Sequence, residues 1–235
     1  MVQRDKKVLI VRDASVTLLG KSIIRNLSLD VNFGDNLAII GPNGSGKTVF
    51  LKALLGLIPH EGEIQWDSRA RVGYVPQKVE VDIHLPMTLE NLLDAKAHVM
   101  NIEPTQPKAV AELVKLTPDL LKTPIGHLSG GQFQKALICL AILGKPNVLL
   151  LDEPTASLDQ LAEEHIFELI QMLQEKQGMT VLSVSHDLHL VYRYASKVLC
   201  LNREKFCFGA TEELTAEVLE RIYGTPLKHY QHEHF

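Results

Sequence analysis

The chain has 235 residues, 46% of them hydrophobic and 22% charged, and a formal net charge of −4. That length suffices for one large domain with a real core, and the charge gives no global basic field to hold a nucleic acid. The longest apolar runs, such as Val148–Leu151, fall far short of the ~20 residues of a spanning helix, and the first residues lack the apolar stretch and cleavage site of a signal peptide.

Short β-rich runs alternate with helical ones, which predicts an α/β fold. Residues 22–31 and 36–40 read as strands, with Gly34 and Asp35 turning between them. A helix is expected from Lys47 to Leu55, stopped by Gly56 and Pro59. Strands follow at 63–66 and 70–75. From about Pro76 to His127 the character changes. Thr88 is placed to cap a helix reaching Met100, and Pro107 sits in the first turn of another ending near Leu116; Pro104 and Pro118 punctuate the same region. It reads as a mostly helical insert, about 76–145, within one domain spanning 1–235.

The α/β pattern returns after Ser129 with a helix and then a buried strand, Asn147–Leu151. The next helix runs from Gln160 to Gln177 and closes at Gly178, with Ile166, Leu169, Ile170 and Leu173 at helical spacing. Strands at 179–185 and 197–201 complete the core, and 205–210 (KFCFGA) is expected to pair in a short hairpin. Residues 225–235 are expected to form a loose, histidine-bearing tail. Cys139, Cys200 and Cys207 lack metal-site spacing and read as reduced thiols of a cytosolic protein.

Gly41, Pro42, Asn43, Gly44, Ser45 and Gly46 lead into Lys47, Thr48 and Val49 between an expected strand and helix. This fits G-x-x-x-x-G-K-[ST] in the context that the motif needs. Glycines let the backbone curl so that several N–H groups converge on phosphate oxygens, and the helix start adds its positive end. Lys47 is expected to bridge β- and γ-phosphates of ATP, and the Thr48 hydroxyl to ligate Mg²⁺. Asp152 and Glu153 end the strand Val148–Leu151. Acids at the C-terminal end of a parallel strand lie beside such a loop. Asp152 is expected to hold the Mg²⁺, and Glu153 to orient and deprotonate the attacking water. Leu128, Ser129, Gly130, Gly131 and Gln132 form a second glycine-bearing helix start, capped by Ser129. Two such starts in one chain do not readily serve one phosphate group from within one monomer.

The run Leu128–Gln132 (LSGGQ) before an acidic strand resembles the signature of the ABC ATPases, and the resemblance covers nearly the whole chain. It implies a P-loop ABC-ATPase fold with a mixed core sheet, an N-terminal antiparallel β subdomain and a helical insert. It also implies a head-to-tail homodimer in the ATP-bound state, each ATP lying between Walker A of one subunit and the signature of the other. Gln77 in Gly73–Gln77 is similar to the family's Q-loop glutamine, which contacts the Mg²⁺ and γ-phosphate and levers a membrane permease. Ser157, Leu158 and Asp159 resemble the D-loop that touches the opposite subunit; Asp159 has an alternative role as a helix cap. His186 is placed like the switch histidine at the γ-phosphate, its alternative being a structural histidine. Three positions depart from the common pattern. Leu18 stands where many members stack an aromatic on adenine, Lys135 replaces a common arginine, and Thr48-Val49-Phe50 replaces Ser-Thr-Leu while keeping the hydroxyl ligand.

Further runs are similar to the zinc and manganese import subfamily: Tyr74–Lys78, Leu85–Leu89, Val184–Val191, Val198–Asn202 and Tyr223–Pro226. The resemblance implies an ATPase at the cytoplasmic face of the inner membrane, working with a permease and, indirectly, an extracytoplasmic solute-binding protein. Manganese, an iron-siderophore or another solute stays open as cargo. A non-transport ABC ATPase is disfavoured, because the motifs are not split by a long coiled coil and only one cassette is present. His229, His232 and His234 have a spacing that suits Zn²⁺, or form a histidine-rich end with no metal function.

Overall fold

Two sheets organise the computed structural model, which describes residues 6–156, 158–202 and 205–224. The smaller is antiparallel and ordered β2-β1-β4, from β1 (Lys7–Leu18), β2 (Lys21–Asn32) and β4 (Glu61–Trp66). The larger is ordered β5-β6-β7-β3-β8-β9, from β3 (Asn36–Ile40), β5 (Val72–Val75), β6 (Val148–Asp152), β7 (Thr180–Val184), β8 (Lys197–Asn202) and β9 (Lys205–Ala210). Five of its strands run parallel and only β9 is antiparallel, so the sheet is mixed. The β8–β9 hairpin is the one expected from KFCFGA.

The Gly34–Asp35 turn does not join paired strands. It carries the chain from one sheet to the other: β2 pairs with β1, whereas β3 lies between β7 and β8. Asp35 fixes that crossing, accepting from the Asn32 N–H at 2.8 Å and pairing with Lys197 at 2.7 Å. Strands β3, β6 and β7 are buried along their whole length. They therefore read as continuous apolar runs with helices or a second sheet on both faces. Along β6 the side chains still alternate. Val148 and Leu150 enter the core between the two sheets, while Leu149 and Leu151 enter a core made with the helices.

Helix α1 (Lys47–Leu54) follows β3 and buries Phe50 and Leu51 in the inter-sheet core. Between the adjacent strands β5 and β6 lie α2 (Leu89–Val99), α3 (Gln106–Leu113), α4 (Pro118–Leu121) and α5 (Gly130–Ile142). Thr88 caps α2 as expected, in a reciprocal pair with Asn91. Helix α3 stops short of Leu116 because Lys115 turns into the left-handed region at φ 58°. Side chains from α2 and α3 close the C-terminal end of α5: Lys96 donates to the Leu140 carbonyl at 2.7 Å and Gln106 to that of Leu143 at 2.5 Å. Orphan carbonyls of a buried helix end are thereby paired. Helix α6 (Gln160–Gln177) ends at Gly178, φ 62°. Two helices not expected from the sequence, α7 (Leu188–Tyr194) and α8 (Ala216–Tyr223), cover the other face of β3 and β8. Among the described residues no helix is long and apolar enough to cross a membrane.

Cys200 and Cys207 face one another directly across the β8–β9 pair, Cα–Cα 5.0 Å, and are disulfide-bonded. This corrects the reading of these two as free thiols; a separation of seven residues does not reveal that the hairpin register sets them opposite. Cys139 is free and buried, and burial pushes its thiol up to about 12.

Candidate active site

Strand β3 delivers the loop 41–46 and α1 leaves it, so the first turn of α1 presents its unpaired N–H groups at the loop's mouth. The loop needs glycine where it touches its neighbours. A Cβ on Gly41, at φ 147°, would lie 1.9 Å from the Leu201 carbonyl oxygen, and Gly46 takes φ 105° with Ile23 3.0 Å from the same position. Lys47 is only 5% exposed, and its ammonium donates to the carbonyls of Gly41 at 2.9 Å and Pro42 at 3.2 Å. An ammonium has three donors, so one remains for a phosphate. Burial lowers the Lys47 pKa, and the charges of Glu153 and Asp152 oppose the shift. The buried hydroxyl of Ser45 has no partner. An orphaned donor inside such a loop fits an anionic ligand.

The acids arrive on β6. Asp152 is 1% exposed and accepts from the Thr48 hydroxyl at 2.9 Å. Burial raises its pKa, the Thr48 hydrogen bond opposes this, and the neighbouring Glu153 charge adds to it. Tyr74, on the adjacent strand β5, is a further partner of this carboxylate. Burial and Asp152 push its phenol up to about 12, so it stays a neutral donor at neutral pH. Glu153 steps out of the strand through a left-handed backbone, φ 51°. For a residue other than glycine that costs roughly 1–3 kcal/mol. Its carboxylate is gripped from both sides. Gln77 donates to one oxygen at 2.6 Å and His186 Nε2 meets the other at 2.5 Å.

The loop residues 43–49 line one open cleft of about 700 Å³ together with Ile23, Gln77, Glu153 and His186. A second cavity of about 550 Å³ continues past Glu153 and His186 toward Glu163 and His189. Ile23 was not singled out in the sequence. It reaches the cleft from β2, whereas Leu18, expected as the apolar contact for adenine, is not among the lining residues. The β2 alternation was visible, but not its register over Gly46.

The signature segment lies elsewhere. None of Leu128–Gln132 lines the cleft. Ser129 caps α5 in a reciprocal pair with Gln132, its oxygen accepting from the Gln132 N–H at 3.3 Å while Gln132 accepts from the Ser129 N–H at 2.9 Å. Gly130 and Gly131 pack against Leu158 and Ala162, where a Cβ would meet side-chain atoms at 3.2 and 3.4 Å. Asp159 caps α6, accepting from the Ala162 N–H at 2.8 Å. Lys135 borders a separate groove with Lys115, His165 and Glu168. Ser157, His229, His232 and His234 lie outside the described residues.

Oxygen ligands suit Mg²⁺, which is held by one or two carboxylates together with substrate phosphates. The adjoining Thr48 hydroxyl and Asp152 carboxylate fit that pattern. Among the described residues no group of three or more His, Cys, Asp or Glu side chains is arranged to hold a metal unaided.

Comparison with known proteins identifies the family. The ABC transporter family model matches residues 24–156, more than half of the chain. A zinc import ATP-binding protein ZnuC from Jannaschia sp. is 38% identical over 218 residues, covering 92% of this chain and 88% of that protein. The protein of the same name from Haemophilus influenzae is 34% identical over 238 residues, covering 99% and 87%. A solved structure described as a metal-chelate type ABC transporter in an inward-facing conformation superposes with a TM-score of 0.85 at 30% identity, covering 94% of this chain and 90% of that one. An ATP-binding cassette of an ABC transporter in its ADP conformation gives 0.78 at 23% identity, which bears on the fold alone. The chain belongs to the ABC transporter family, as an ATP-binding, ATP-hydrolysing subunit.

Proposed function

We propose that this subunit powers zinc import, binding ATP and Mg²⁺ in the cleft between the Gly41–Val49 loop and the Asp152–Glu153 pair. The observation that carries the chemistry is the grip of Gln77 and His186 on the Glu153 carboxylate beside Lys47. The loop N–H groups and the free Lys47 donor take the phosphates. Thr48, Asp152 and Gln77 would hold Mg²⁺, which would supply positive charge against that of the phosphates. Glu153 then accepts a proton from water as that oxygen bonds to the γ-phosphorus and the ADP oxygen departs. His186, released from Glu153, donates to the γ-phosphate.

The signature segment, absent from the cleft of its own chain, serves the cleft of a second copy in a head-to-tail homodimer. The Leu158–Asp159 turn packed against Gly130 joins that interface, together with Ser157. The subunit works at the cytoplasmic face of the membrane on a permease, itself fed by an extracytoplasmic solute-binding protein.

Zinc as cargo rests on the relatives named as zinc import proteins. A metal chelate is the second reading, favoured by the structural neighbour of that type. Deleting the subunit in its own cell separates the two. Growth under metal starvation is expected to need added zinc, and to be restored by the intact chain but not by Lys47→Ala. Rescue by manganese or an iron chelate instead of zinc would overturn the zinc assignment.

A further inference from the structure

We propose that Glu163, in the first turn of α6, is a positioning residue for Glu153, acting through the Thr155 hydroxyl. The proposal rests on the reading of Glu153 as the base of ATP hydrolysis. The Thr155 hydroxyl donates to the Glu163 carboxylate at 2.6 Å, and both residues are partly buried. A hydrogen bond to a charged acceptor is short and about twice as strong as a neutral one. The start of α6 favours the negative charge.

Glu153 needs an anchor. Its left-handed backbone, φ 51°, persists only where the surroundings hold it. Gln77 and His186 grip its carboxylate. Both also serve the nucleotide and Mg²⁺ in the mechanism above, and while they do so the carboxylate is aimed by its backbone alone. That backbone lies in a tight turn. The Ala156 N–H donates to the Glu153 carbonyl at 3.1 Å, and Pro154 between them is buried. Pro154 and Ala156 have no polar side-chain atom, so beyond Glu153 itself Thr155 is the residue of this turn able to bond outward through its side chain. Its partner is firmly held. The Glu163 N–H donates to the Asp159 carbonyl at 2.9 Å, and Asp159 caps the helix through the Ala162 N–H at 2.8 Å. Ile166, Leu169, Ile170 and Leu173 bury the helix against the core. One hydroxyl thus ties the turn that carries the base to a helix fixed in the core. Thr155 and Glu163 also line the cavity of about 550 Å³ that continues past Glu153, so the link stands in the wall of the site.

Thr155→Val removes the donor with little change of shape, and Glu163→Ala removes the acceptor. With the full chain, phosphate release and single-turnover hydrolysis are measured beside binding of a fluorescent ATP analogue and thermal melting without nucleotide. Each variant is expected to lose about ten- to a hundredfold in kcat, the scale of a misplaced catalytic group. ATP affinity and KM are expected to stay near those of the parent, because the phosphate loop is untouched. Glu163→Gln keeps an acceptor and is expected to recover most of the loss. The double variant should be no slower than either single one, and Glu163→Ala should add little in a Glu153→Gln background, because all act through one carboxylate. Unchanged kcat in Thr155→Val and Glu163→Ala beside an inactive Glu153→Gln would overturn the proposal alone. So would a loss in Glu163→Gln equal to that in Glu163→Ala, or a kcat that falls only in step with melting, which marks a purely structural role. Normal hydrolysis by Glu153→Gln would remove the base itself, and the proposal with it.

Discussion

Replacing Glu153 by glutamine removes one charge and one base while keeping size and most contacts. In the structure Glu153 takes a hydrogen bond from Gln77 at 2.6 Å and meets His186 at 2.5 Å. A glutamine carbonyl accepts equally well from Gln77, and its NH₂ donates to His186 in the tautomer with Nε2 unprotonated. The grip on residue 153 therefore survives, and so does the left-handed turn that aims it at the cleft. What is lost is the acceptor for the water's proton. General-base catalysis contributes about 10²–10⁴-fold in rate, equivalent to roughly 3–5.5 kcal/mol. Removing an anion from the phosphate side of the cleft relieves repulsion, so ATP affinity should hold or rise. The assay is phosphate release at saturating Mg-ATP, paired with equilibrium binding of an ATP analogue. A fall in kcat of less than about tenfold, or one matched by an equal loss of affinity, would refute the role given to this carboxylate.

Two further outcomes test the scaffold. Burial would raise the Asp30 pKa, but ion pairs with Lys7 and Arg12 at 2.9 and 2.7 Å outweigh it and hold the carboxyl below its ordinary value. A depressed carboxyl stabilises the fold above its unfolded pKa, and that contribution fades as pH falls through the folded value. Asp30→Asn should thus lower stability at neutral pH, by at most about 1 kcal/mol for so exposed a cluster. The difference should shrink in high salt and disappear in strong acid, as denaturant titrations would show. Lys96→Met should destabilise the chain by about 1 kcal/mol by uncapping the Leu140 carbonyl at the end of α5, with faster hydrogen exchange in that last turn.

Much of this molecule was legible because its chemistry is local. A buried strand, a glycine-rich turn and a helix start occur consecutively at 36–54, and the structure holds them as read. Ser129, Thr88 and Asp159 cap their helices because a side-chain oxygen and the N–H it serves lie within three residues. What escaped depends on partners distant in sequence. Strand β1 is half buried through pairings with both β2 and β4. The Gly34–Asp35 turn is legible from its own residues, but not that the strands it joins enter different sheets. Helices α7 and α8 are short and gain their stability from the face of β3 and β8 that they cover. The mutual grip of Gln77, Glu153 and His186 joins the ends of three segments, and no spacing along the chain encodes it.

The central claim is that each ATP is enclosed by the phosphate loop of one copy and the signature of another. The most direct test mixes two inactive variants. Lys47→Ala disables the loop. Ser129→Asp keeps a good helix cap but sets a negative charge where the signature meets phosphate. In a mixed dimer one site combines both lesions and the other is intact. The account predicts that each variant alone is inactive and that mixing restores hydrolysis, with one ATP enclosed per dimer. A mixture as inactive as its components, enclosing no ATP, would contradict it.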